Sequence, residues 1–223
     1  MRPCSFLQRV INFVETSEEE FDFITPSREM LILQESKILP KFSIDYHDLD
    51  SLKGKSWLND SVINTYLSIM KYHSNESVGS TNTFFYNKLS RDGPEEASNW
   101  EGIKKVPLNV FDHFLIPICA GSHWILIDVN FKEECIDILD PLGGNYRSHY
   151  RKINEFLEFQ NIPPLPIRYP QVAQQQNGYD CGVFLLQNAF CIFYQKDFRS
   201  YSQADIPMIR KRIYKELETT ISR

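Results

Sequence analysis

The chain reads QQQNGYDCG over residues 174–182 and VFLLQNAFCIF over residues 183–193. The second stretch is apolar at nearly every position and contains neither glycine nor proline, which predicts a helix that is buried on most sides. Asn177-Gly178 has the composition of a turn before such a helix. Cys181 is therefore predicted at a helix N-terminus, where unsatisfied amide groups and the helix dipole lower the pKa of a thiol and favour the nucleophilic thiolate.

Two interpretations of Cys181 are open at this point. It is a catalytic nucleophile, or it is a small core residue, since free cysteine is among the most often buried residue types. An amide side chain a few residues upstream can turn back and donate a hydrogen bond near the thiol, as an active site requires. These residues alone support the two interpretations about equally.

The composition favours one α+β domain with a protein partner. A chain of 223 residues with 42% hydrophobic content can bury a full core. The formal net charge is −5 and there is no long Lys/Arg run, so the electrostatic footprint of a nucleic-acid binder is missing. No apolar run approaches the ~20 residues that cross a bilayer, and residues 1–14 lack the apolar core of a signal peptide.

The cysteines favour a reducing compartment. They are scattered along the chain and form neither C-x-x-C pairs nor the density of a disulfide framework: Cys4, Cys119, Cys135, Cys181 and Cys191. We therefore expect a soluble protein of the cytosol or nucleus.

The first part of the chain is predicted to be distinct from the main domain. Residues 1–41 combine an apolar-periodic start with an acidic patch at Glu18–Glu20, which favours a short helix followed by an extended arm. Residues 42–223 are expected to form the folded domain.

Two helix starts are predicted at the beginning of this domain. Residues 41–46 alternate as in a strand, after which Asp48 is expected to cap a short helix that ends at Gly54. Asn59 or Asp60 is expected to cap the next helix, because the apolar positions that follow have the i, i+3, i+4 spacing of one buried face.

Three apolar runs predict the centre of a sheet. They cover residues 114–118, 124–129 and 135–139, and near-continuous runs of this kind are typical of strands covered on both faces. A short aromatic helix is predicted over residues 82–89, before a terminating Gly93-Pro94. A final amphipathic helix is predicted from the spacing of Ile206, Ile209, Ile213 and Leu217.

A thiol nucleophile needs a base, and five histidines are available. Three lie in polar surroundings that favour a solvated side chain: His47, His73 and His149. His113 precedes a predicted strand and is undecided. His123 follows Gly121-Ser122 and opens a strand with Trp124, which places its imidazole at an end of the sheet, where loops gather and sites form.

The predicted hairpin between the second and third strands selects a carboxylate for His123. If its loop is centred on residues 131–132, Asp140 lies directly opposite His123, with Cβ atoms about 5 Å apart. Asp137 would then face Leu126, about 10 Å along the strand from His123. Asp140 is therefore the carboxylate best placed to orient the imidazole and to stabilise its protonated form.

Together these residues resemble the ubiquitin-like-modifier proteases, the SUMO-specific cysteine proteases called sentrin proteases. The motifs are specific in combination and cover about residues 42–222: Trp57-Leu58-Asn59-Asp60, Phe84-Phe85-Tyr86, His123-Trp124, Asp140, and Gln175 six residues before Cys181-Gly182. The resemblance implies a papain-like α+β cysteine protease domain over residues 42–223. In that fold a central mixed sheet is packed by helices, and the nucleophile lies at a helix N-terminus.

The resemblance also implies catalytic roles. Cys181 resembles the nucleophile, His123 the base that becomes the acid for the leaving amine, and Asp140 the carboxylate that orients it. Gln175 resembles the oxyanion-hole donor, acting with the backbone amide of Cys181.

Substrate-binding roles follow from the same resemblance. Trp57 and Trp124 resemble the indoles that line a narrow tunnel over the Gly-Gly tail of the modifier; without the resemblance, both are interpreted as core aromatics. Asp60 resembles a residue that contacts the globular body of the modifier, although it can also be only a helix cap. Phe85 is a weaker candidate for the same surface.

The leading hypothesis is thiol hydrolysis after the C-terminal Gly-Gly of a SUMO-like modifier, in precursor maturation and in isopeptide release from lysine. The alternatives are a protease for another modifier, such as the neddylation type, a non-catalytic module that only holds the modifier, and an acyl transferase. The complete set of Cys181, His123, Asp140 and Gln175 argues against the non-catalytic module. The paired tryptophans argue against the acyl transferase.

No cofactor and no metal are expected. Cys119, His123 and Cys135 are the metal alternative, but their spacings fit no standard zinc pattern. The expected partners are the modifier and its protein conjugates, with no nucleic acid and no membrane span, and a monomer is expected. By the resemblance, the protein is expected in the nucleus, with the cytoplasm as the alternative.

Three features depart from the family pattern. The segment 100–111 is longer than the usual link, residues 1–41 align with nothing in the family, and Pro141 follows Asp140 where serine is common. The first two bear on the partner surface, and the third bears on the end of the predicted hairpin.

Overall fold

A mixed five-stranded sheet forms the centre of the protein in the computed structural model, which describes residues 44–74, 77–100, 103 and 107–221. The predicted arm over residues 1–41 lies outside the described residues. The first half of the predicted strand over residues 41–46 lies outside them as well.

The sheet has the three predicted strands at its centre. Its order is β1-β2-β3-β4-β5, with antiparallel pairing of β2, β3 and β4 and parallel pairing of both edge strands. The bounds are β1 Val78–Ser80, β2 His113–Cys119, β3 Trp124–Asn130, β4 Cys135–Leu139 and β5 Ile167–Arg168. All residues of β3 and β4 are buried, which confirms that these apolar runs are covered on both faces.

The helices of the described residues are α1 Tyr46–Asp50, α2 Asp60–His73, α3 Phe85–Ser98, α4 Arg147–Phe159, α5 Cys181–Phe193 and α6 Ile206–Ile221, with 3₁₀ turns at Leu108–Val110 and Gln203–Asp205. The predicted α5 is confirmed, and every residue in it except Phe190 is buried. The four apolar positions of α6 are also buried, as predicted. None of the described helices is both long and apolar enough to span a bilayer.

The two faces of the sheet carry different helices. Leucines of the three central strands pack with α2, α5 and α6 on one face: Leu115, Leu126 and Leu139. Isoleucines at the alternate positions pack with α3 and α4 on the other: Ile116, Ile125, Ile127, Ile136 and Ile138. This alternation follows from the period of two along a strand. The predicted nucleophile helix therefore lies in one layer, against the sheet, with α2 and α6 beside it.

The start of α1 differs from the prediction. Asp45 is the N-cap, because its carboxylate accepts the amide hydrogen bond of Asp48 at 2.9 Å, and the carboxylate of Asp48 accepts that of Asp45 at 3.1 Å. This reciprocal capping box places Asp48 inside the helix, so the predicted cap was wrong by three residues and Tyr46 is helical. Asn59 caps α2 through a bond from the amide of Val62 at 3.0 Å.

The aromatic helix is longer than predicted, but it is interrupted where the sequence suggested. Its assigned span, α3, includes Gly93 with φ 84° and ψ 176°, a backbone conformation that glycine adopts without strain. Pro94 then starts a second helical stretch. The predicted end near Gly93-Pro94 is thus a break between two consecutive helical segments.

The register of the β3–β4 hairpin was predicted incorrectly. Leu126 pairs with Leu139 and Asp128 with Asp137, so Asp137 does not face Leu126. The turn extends to Glu134, which has a φ of 52°, and this moves the pairing by two residues. An even shift does not change which side of the pleat a residue faces, so the side chains of His123 and Asp140 still meet beyond the strand ends.

Candidate active site

Cys181 is the first residue of α5, as predicted, and is 2% exposed. The carbonyl of Asp180 accepts the amide hydrogen bonds of Val183 and Phe184 at 2.8 and 3.1 Å, which begins the helix at the cysteine. The thiol therefore lies at the positive end of a helix whose remaining length is buried in the core.

His123 immediately precedes β3, and Asp140 immediately follows β4. Nε2 of His123 lies 2.6 Å from Oδ1 of Asp140, and this carboxylate also accepts the backbone amides of Leu142 at 3.0 Å and Gly144 at 2.5 Å. The hydrogen bonds of His123 to Asp140 and to Cys181 raise the pKa of the imidazole to about 9, although burial opposes the charge. Because Asp140 occupies Nε2, Nδ1 is the nitrogen that faces the thiol.

The thiol and the imidazole stabilise each other as an ion pair. Burial acts to raise the pKa of Cys181, but hydrogen bonds from His123 and from the backbone amides of Trp124 and Gly182 outweigh it and lower the pKa. The lowered pKa of Cys181 and the raised pKa of His123 both favour a thiolate that faces an imidazolium. The site therefore holds an activated nucleophile and a proton donor at the same pH.

Gln175 joins the loop before α5 to the segment after β4. Its backbone amide donates to the carbonyl of Pro141 at 2.9 Å, and its side-chain amide donates to the carbonyl of Asn177. The residue is 8% exposed, and its Oε1 is buried without a hydrogen-bond partner among the described residues. One of the two Nε2 hydrogens is left for another acceptor.

The two predicted tunnel tryptophans lie in different environments. Trp57 is 53% exposed, and its indole N–H donates to the carbonyl of Gly178 at 2.8 Å. Trp124 is buried, and its indole N–H donates to the carbonyl of Leu58 at 3.0 Å. Trp57 is thus not a core aromatic, whereas Trp124 is buried next to Cys181, to whose thiol its backbone amide donates.

Asp60 and Phe85 differ in their access to a partner. Asp60 is the first residue of α2 and partly exposed, while Asn59 provides the cap. Phe85 is fully buried, with its ring centroid 5.3 Å from that of Phe156, so the structure does not leave it accessible to a partner. Phe84, which was not predicted as a site residue, is 51% exposed.

A second His–Asp pair lies at the other end of the sheet. Nδ1 of His113 is 2.7 Å from Oδ2 of Asp128, and Asp128 pairs across the strands with Asp137, which accepts a bond from Nη2 of Arg168 at 2.7 Å. Asp128 is five residues along the chain from His123, about 17 Å at ~3.4 Å per residue. His113, undecided from the sequence, thus belongs to a row of charges outside the candidate site.

The zinc alternative is not compatible with the strand positions. Cys119 pairs with Trp124 at one end of β3, and Cys135 pairs with Asn130 at the other, about 20 Å away at ~3.4 Å per residue. Three ligands of one ion cannot be that far apart. Among the described residues, no group of three or more His, Cys, Asp or Glu is arranged to hold a metal.

A buried ion pair that was not predicted from the sequence lies directly before Cys181. Asp180 and Arg210 are 3% and 5% exposed, and Nη2 of Arg210 lies 2.7 Å from Oδ1 of Asp180. A signal existed, because Arg210 lies four residues after Ile206 and three before Ile213, inside the apolar stripe of α6.

A thiol, an imidazole and a carboxylate joined in this way are the arrangement of cysteine hydrolases. Residues 56–223 match the Ulp1 protease family, C-terminal catalytic domain. The chain belongs to this family.

Relatives and solved structures agree with this assignment. Sentrin-specific protease 5 of Mus musculus is 35% identical over 186 residues, which are 79% of this chain and 24% of the relative. The Ulp1-like SUMO protease catalytic domain of Chaetomium thermophilum gives a TM-score of 0.66 at 27% identity, over 86% of this chain and 89% of that one. The yeast Ulp1 protease domain in complex with SMT3, the yeast ortholog of SUMO, gives a TM-score of 0.71 at 22% identity, over 87% of this chain and 93% of that one.

These likenesses confirm the predicted α+β cysteine protease fold. The chain spans about a quarter of the length of the sentrin-specific protease that it matches.

Asp140→Asn is expected to lower the pKa of His123 from about 9 toward its ordinary 6.5, because the substitution removes the carboxylate that stabilises the imidazolium. In the unmodified protein, the protonated His123 adds stability below about pH 6.5, and this contribution is lost as the pH rises through about 9. An NMR titration of the His123 ring protons in both proteins measures the shift.

Asp128→Asn is the matched control for this titration. It removes the partner of His113 at the other end of the sheet and is expected to leave the pKa of His123 unchanged. A His123 pKa that stays near 9 in Asp140→Asn would show that Asp140 does not set it.

Gly182→Ala is expected to destabilise the fold by about 1–3 kcal/mol, because the added methyl group overpacks a tight contact. A Cβ at this position would lie 2.8 Å from Cβ of Leu58 and 3.2 Å from Cδ1 of Trp124. Urea unfolding measures the loss, with Gly178→Ala as the control, since among the described residues no heavy atom beyond its chain neighbours lies within 4 Å of a Cβ there. Equal stability of the two variants would contradict this account.

Proposed function

We propose that the chain is a thiol protease that cleaves after the C-terminal Gly-Gly of a SUMO-like modifier, both in precursors and in isopeptide conjugates with lysine. One observation carries the proposal: Cys181 begins a buried helix and is hydrogen-bonded to His123, which is hydrogen-bonded to Asp140. The names of the similar proteins support the modifier class, because they are sentrin-specific and SUMO proteases.

In the acylation step, the thiolate of Cys181 attacks the carbonyl carbon of the terminal glycine. The C–S bond forms, the C–N bond breaks, and the His123 imidazolium gives its proton to the leaving amine. Asp140 holds the imidazole by Nε2, so that Nδ1 points to the thiol and the leaving group. The ion pair provides both the attacking group and the proton, and no further base is needed.

The oxyanion of the tetrahedral intermediate needs hydrogen-bond donors. The backbone amide of Cys181, in the first turn of α5, and the second Nε2 hydrogen of Gln175 are the proposed donors. In deacylation, water attacks the thioester, His123 accepts its proton, and Cys181 leaves as a thiolate. This returns the ion pair to its starting state.

The substrate tail is proposed to lie between the exposed indole of Trp57 and the wall that contains Trp124. Trp57 is fixed by its bond to Gly178, in the loop just before Cys181, so the slot borders the nucleophile directly. A tail of two glycines has no side chain and fits where larger residues are excluded by sterics. Asp60, on the first turn of α2, is proposed to pair with a basic residue on the body of the modifier.

The predicted monomer, the nuclear location and the absence of nucleic-acid binding stay predictions. Sedimentation of the purified chain, imaging of the whole protein in cells and a binding assay with nucleic acid test them in turn.

Covalent trapping distinguishes the proposal from its alternatives. C-terminally activated SUMO-like, neddylation-type and ubiquitin-type modifiers are offered to the protein, and the SUMO-like form is expected to label Cys181 alone. Cys181→Ser is expected to lose the adduct but keep modifier binding, while Cys191→Ser, altered on the same helix, keeps the adduct. Labelling only by the neddylation-type modifier would change the substrate class, and binding without any adduct would indicate a non-catalytic module.

A modifier with Ala-Gly in place of Gly-Gly is expected to be cleaved ~10²-fold more slowly, mainly in kcat, because one methyl group displaces the reacting carbonyl in a tight slot. Trp57→Ala is expected to reduce this discrimination and to slow cleavage of the Gly-Gly tail. Single-turnover rates of both tails with both enzymes measure the effect.

Phe159→Ala is the matched control for Trp57→Ala. Phe159 is also a half-exposed aromatic, but it lies on α4, on the opposite face of the sheet. Equal rates for the two tails in the unmodified enzyme would mean that no glycine-selective slot exists.

A further inference from the structure

Arg210 of α6 binds two segments that border the candidate site. The residue is 5% exposed, and its guanidinium donates to Asp180 Oδ1 at 2.9 Å and to three backbone carbonyls. These belong to Ser51 at 3.1 Å, Ser56 at 2.8 Å and Tyr179 at 3.1 Å. One planar group therefore joins the loop before α2 to the loop before α5.

Each of these loops leads directly into a residue of the candidate site. Ser56 directly precedes Trp57, whereas Tyr179 and Asp180 directly precede Cys181. Trp57 also bonds to the carbonyl of Gly178, in the same loop that Arg210 holds. Two contacts thus fix the indole of Trp57 relative to Cys181. One is the bond of Trp57 to Gly178, and the other is the set of bonds that Arg210 makes from α6 to both loops.

A second series of hydrogen bonds connects Arg210 to Gln175, the proposed oxyanion donor. Asp180 also accepts a bond from Asn177 Nδ2 at 2.6 Å and from Gln203 Nε2 at 2.9 Å. Asn177 Oδ1 accepts the amide of Asp180 at 3.1 Å, and the Asn177 carbonyl accepts the side-chain amide of Gln175. The orientation of Gln175 is therefore connected to the Arg210–Asp180 pair through one residue.

We infer that Arg210 is a positioning residue, which sets the Trp57 wall and the Gln175 amide relative to Cys181. The inference rests on the proposed function, since it assigns Arg210 to the slot for the glycine tail. Arg210 contacts no reacting atom; it acts through backbone carbonyls and Asp180.

An arginine is suited to this role and a lysine is not. The guanidinium offers five N–H donors in a rigid fork, so it reaches four acceptors on two loops while it neutralises a buried carboxylate. An ammonium group keeps the charge beside Asp180 but cannot hold all the carbonyls in the same geometry. Arg210→Lys therefore separates the positioning role from the need to pair a buried charge.

Arg212→Lys is the matched control. Arg212 is on the same helix and similarly buried, and it donates to Gln187 in the middle of α5 at 2.9 Å, whereas Arg210 donates to the two loops. A purely structural cost of shortening a buried arginine is expected in both variants.

The first measurement does not depend on activity. The Nε1–H NMR resonance of Trp57 is assigned by its loss in Trp57→Phe, and its exchange with water is followed in each variant. Arg210→Lys is expected to speed this exchange by about tenfold or more, as the bond to Gly178 loses its support, whereas Arg212→Lys leaves it unchanged. Unchanged exchange in Arg210→Lys overturns the inference.

The second measurement concerns turnover of a Gly-Gly substrate. Arg210→Lys is expected to lower kcat by about 10–10²-fold, with KM within about threefold, because the reacting carbonyl is misplaced while the modifier still docks. In a background that carries both Trp57→Ala and Gln175→Ala, the same substitution is expected to lose most of its effect, since both side chains that it positions are absent. Equal losses in both backgrounds, or an equal loss in Arg212→Lys, overturn the inference.

If Arg210→Lys does not fold, the double variant Arg210→Gln with Asp180→Asn removes the fork without leaving an unpaired buried charge, and the same two measurements apply. If the unmodified protein cleaves no Gly-Gly substrate, the proposed function fails. The Trp57 exchange experiment then still decides whether Arg210 holds the indole.

Discussion

The close approach of α5 to the start of β3 is the contact on which the site depends. It is possible because residue 182 has no side chain: a Cβ there would lie 2.8 Å from Leu58 and 3.2 Å from the Trp124 indole. This contact places the thiol of Cys181 where the backbone amide of Trp124 donates to it and where His123 reaches it. Helix, strand and the Leu58 segment are therefore held together next to the nucleophile.

Buried charged groups on both sides of Cys181 are paired with groups of opposite charge. On the sheet side, Asp140 accepts hydrogen bonds from His123 and two backbone amides, which makes an imidazolium stable beside the thiolate. On the α6 side, Asp180 is balanced by Arg210. The His123–Asp140 pair and the Asp180–Arg210 pair thus both lie near the N-terminal end of α5, but they bind different backbone groups.

The elements that were predicted correctly are those that local interactions along the chain determine. The buried helix from Cys181, the three central strands and the apolar stripe of α6 follow from composition and periodicity, so they were found correctly. The register of the β3–β4 hairpin was predicted incorrectly, because turns that differ by two residues give the same alternation of apolar positions. The burial of Phe85 and the four acceptors of Arg210 depend on elements far away in the chain, which no local pattern specifies.

The contacts that join Trp57 to Gly178, and Arg210 to Ser51, connect residues 121 and 159 positions apart. The β2–β3–β4 meander, by contrast, consists of neighbours in sequence. Pairings across such long loops carry a larger entropic cost of closure, so they are the last to become favourable as a chain collapses. The hydrogen bonds of the meander can therefore form at a smaller entropic cost than the contacts that hold Trp57 and Arg210 beside the loop before α5. The arrangement of Trp57 and Gly178 next to Cys181 is therefore a property of the finished tertiary structure, whereas the central strands already pair with their neighbours in sequence.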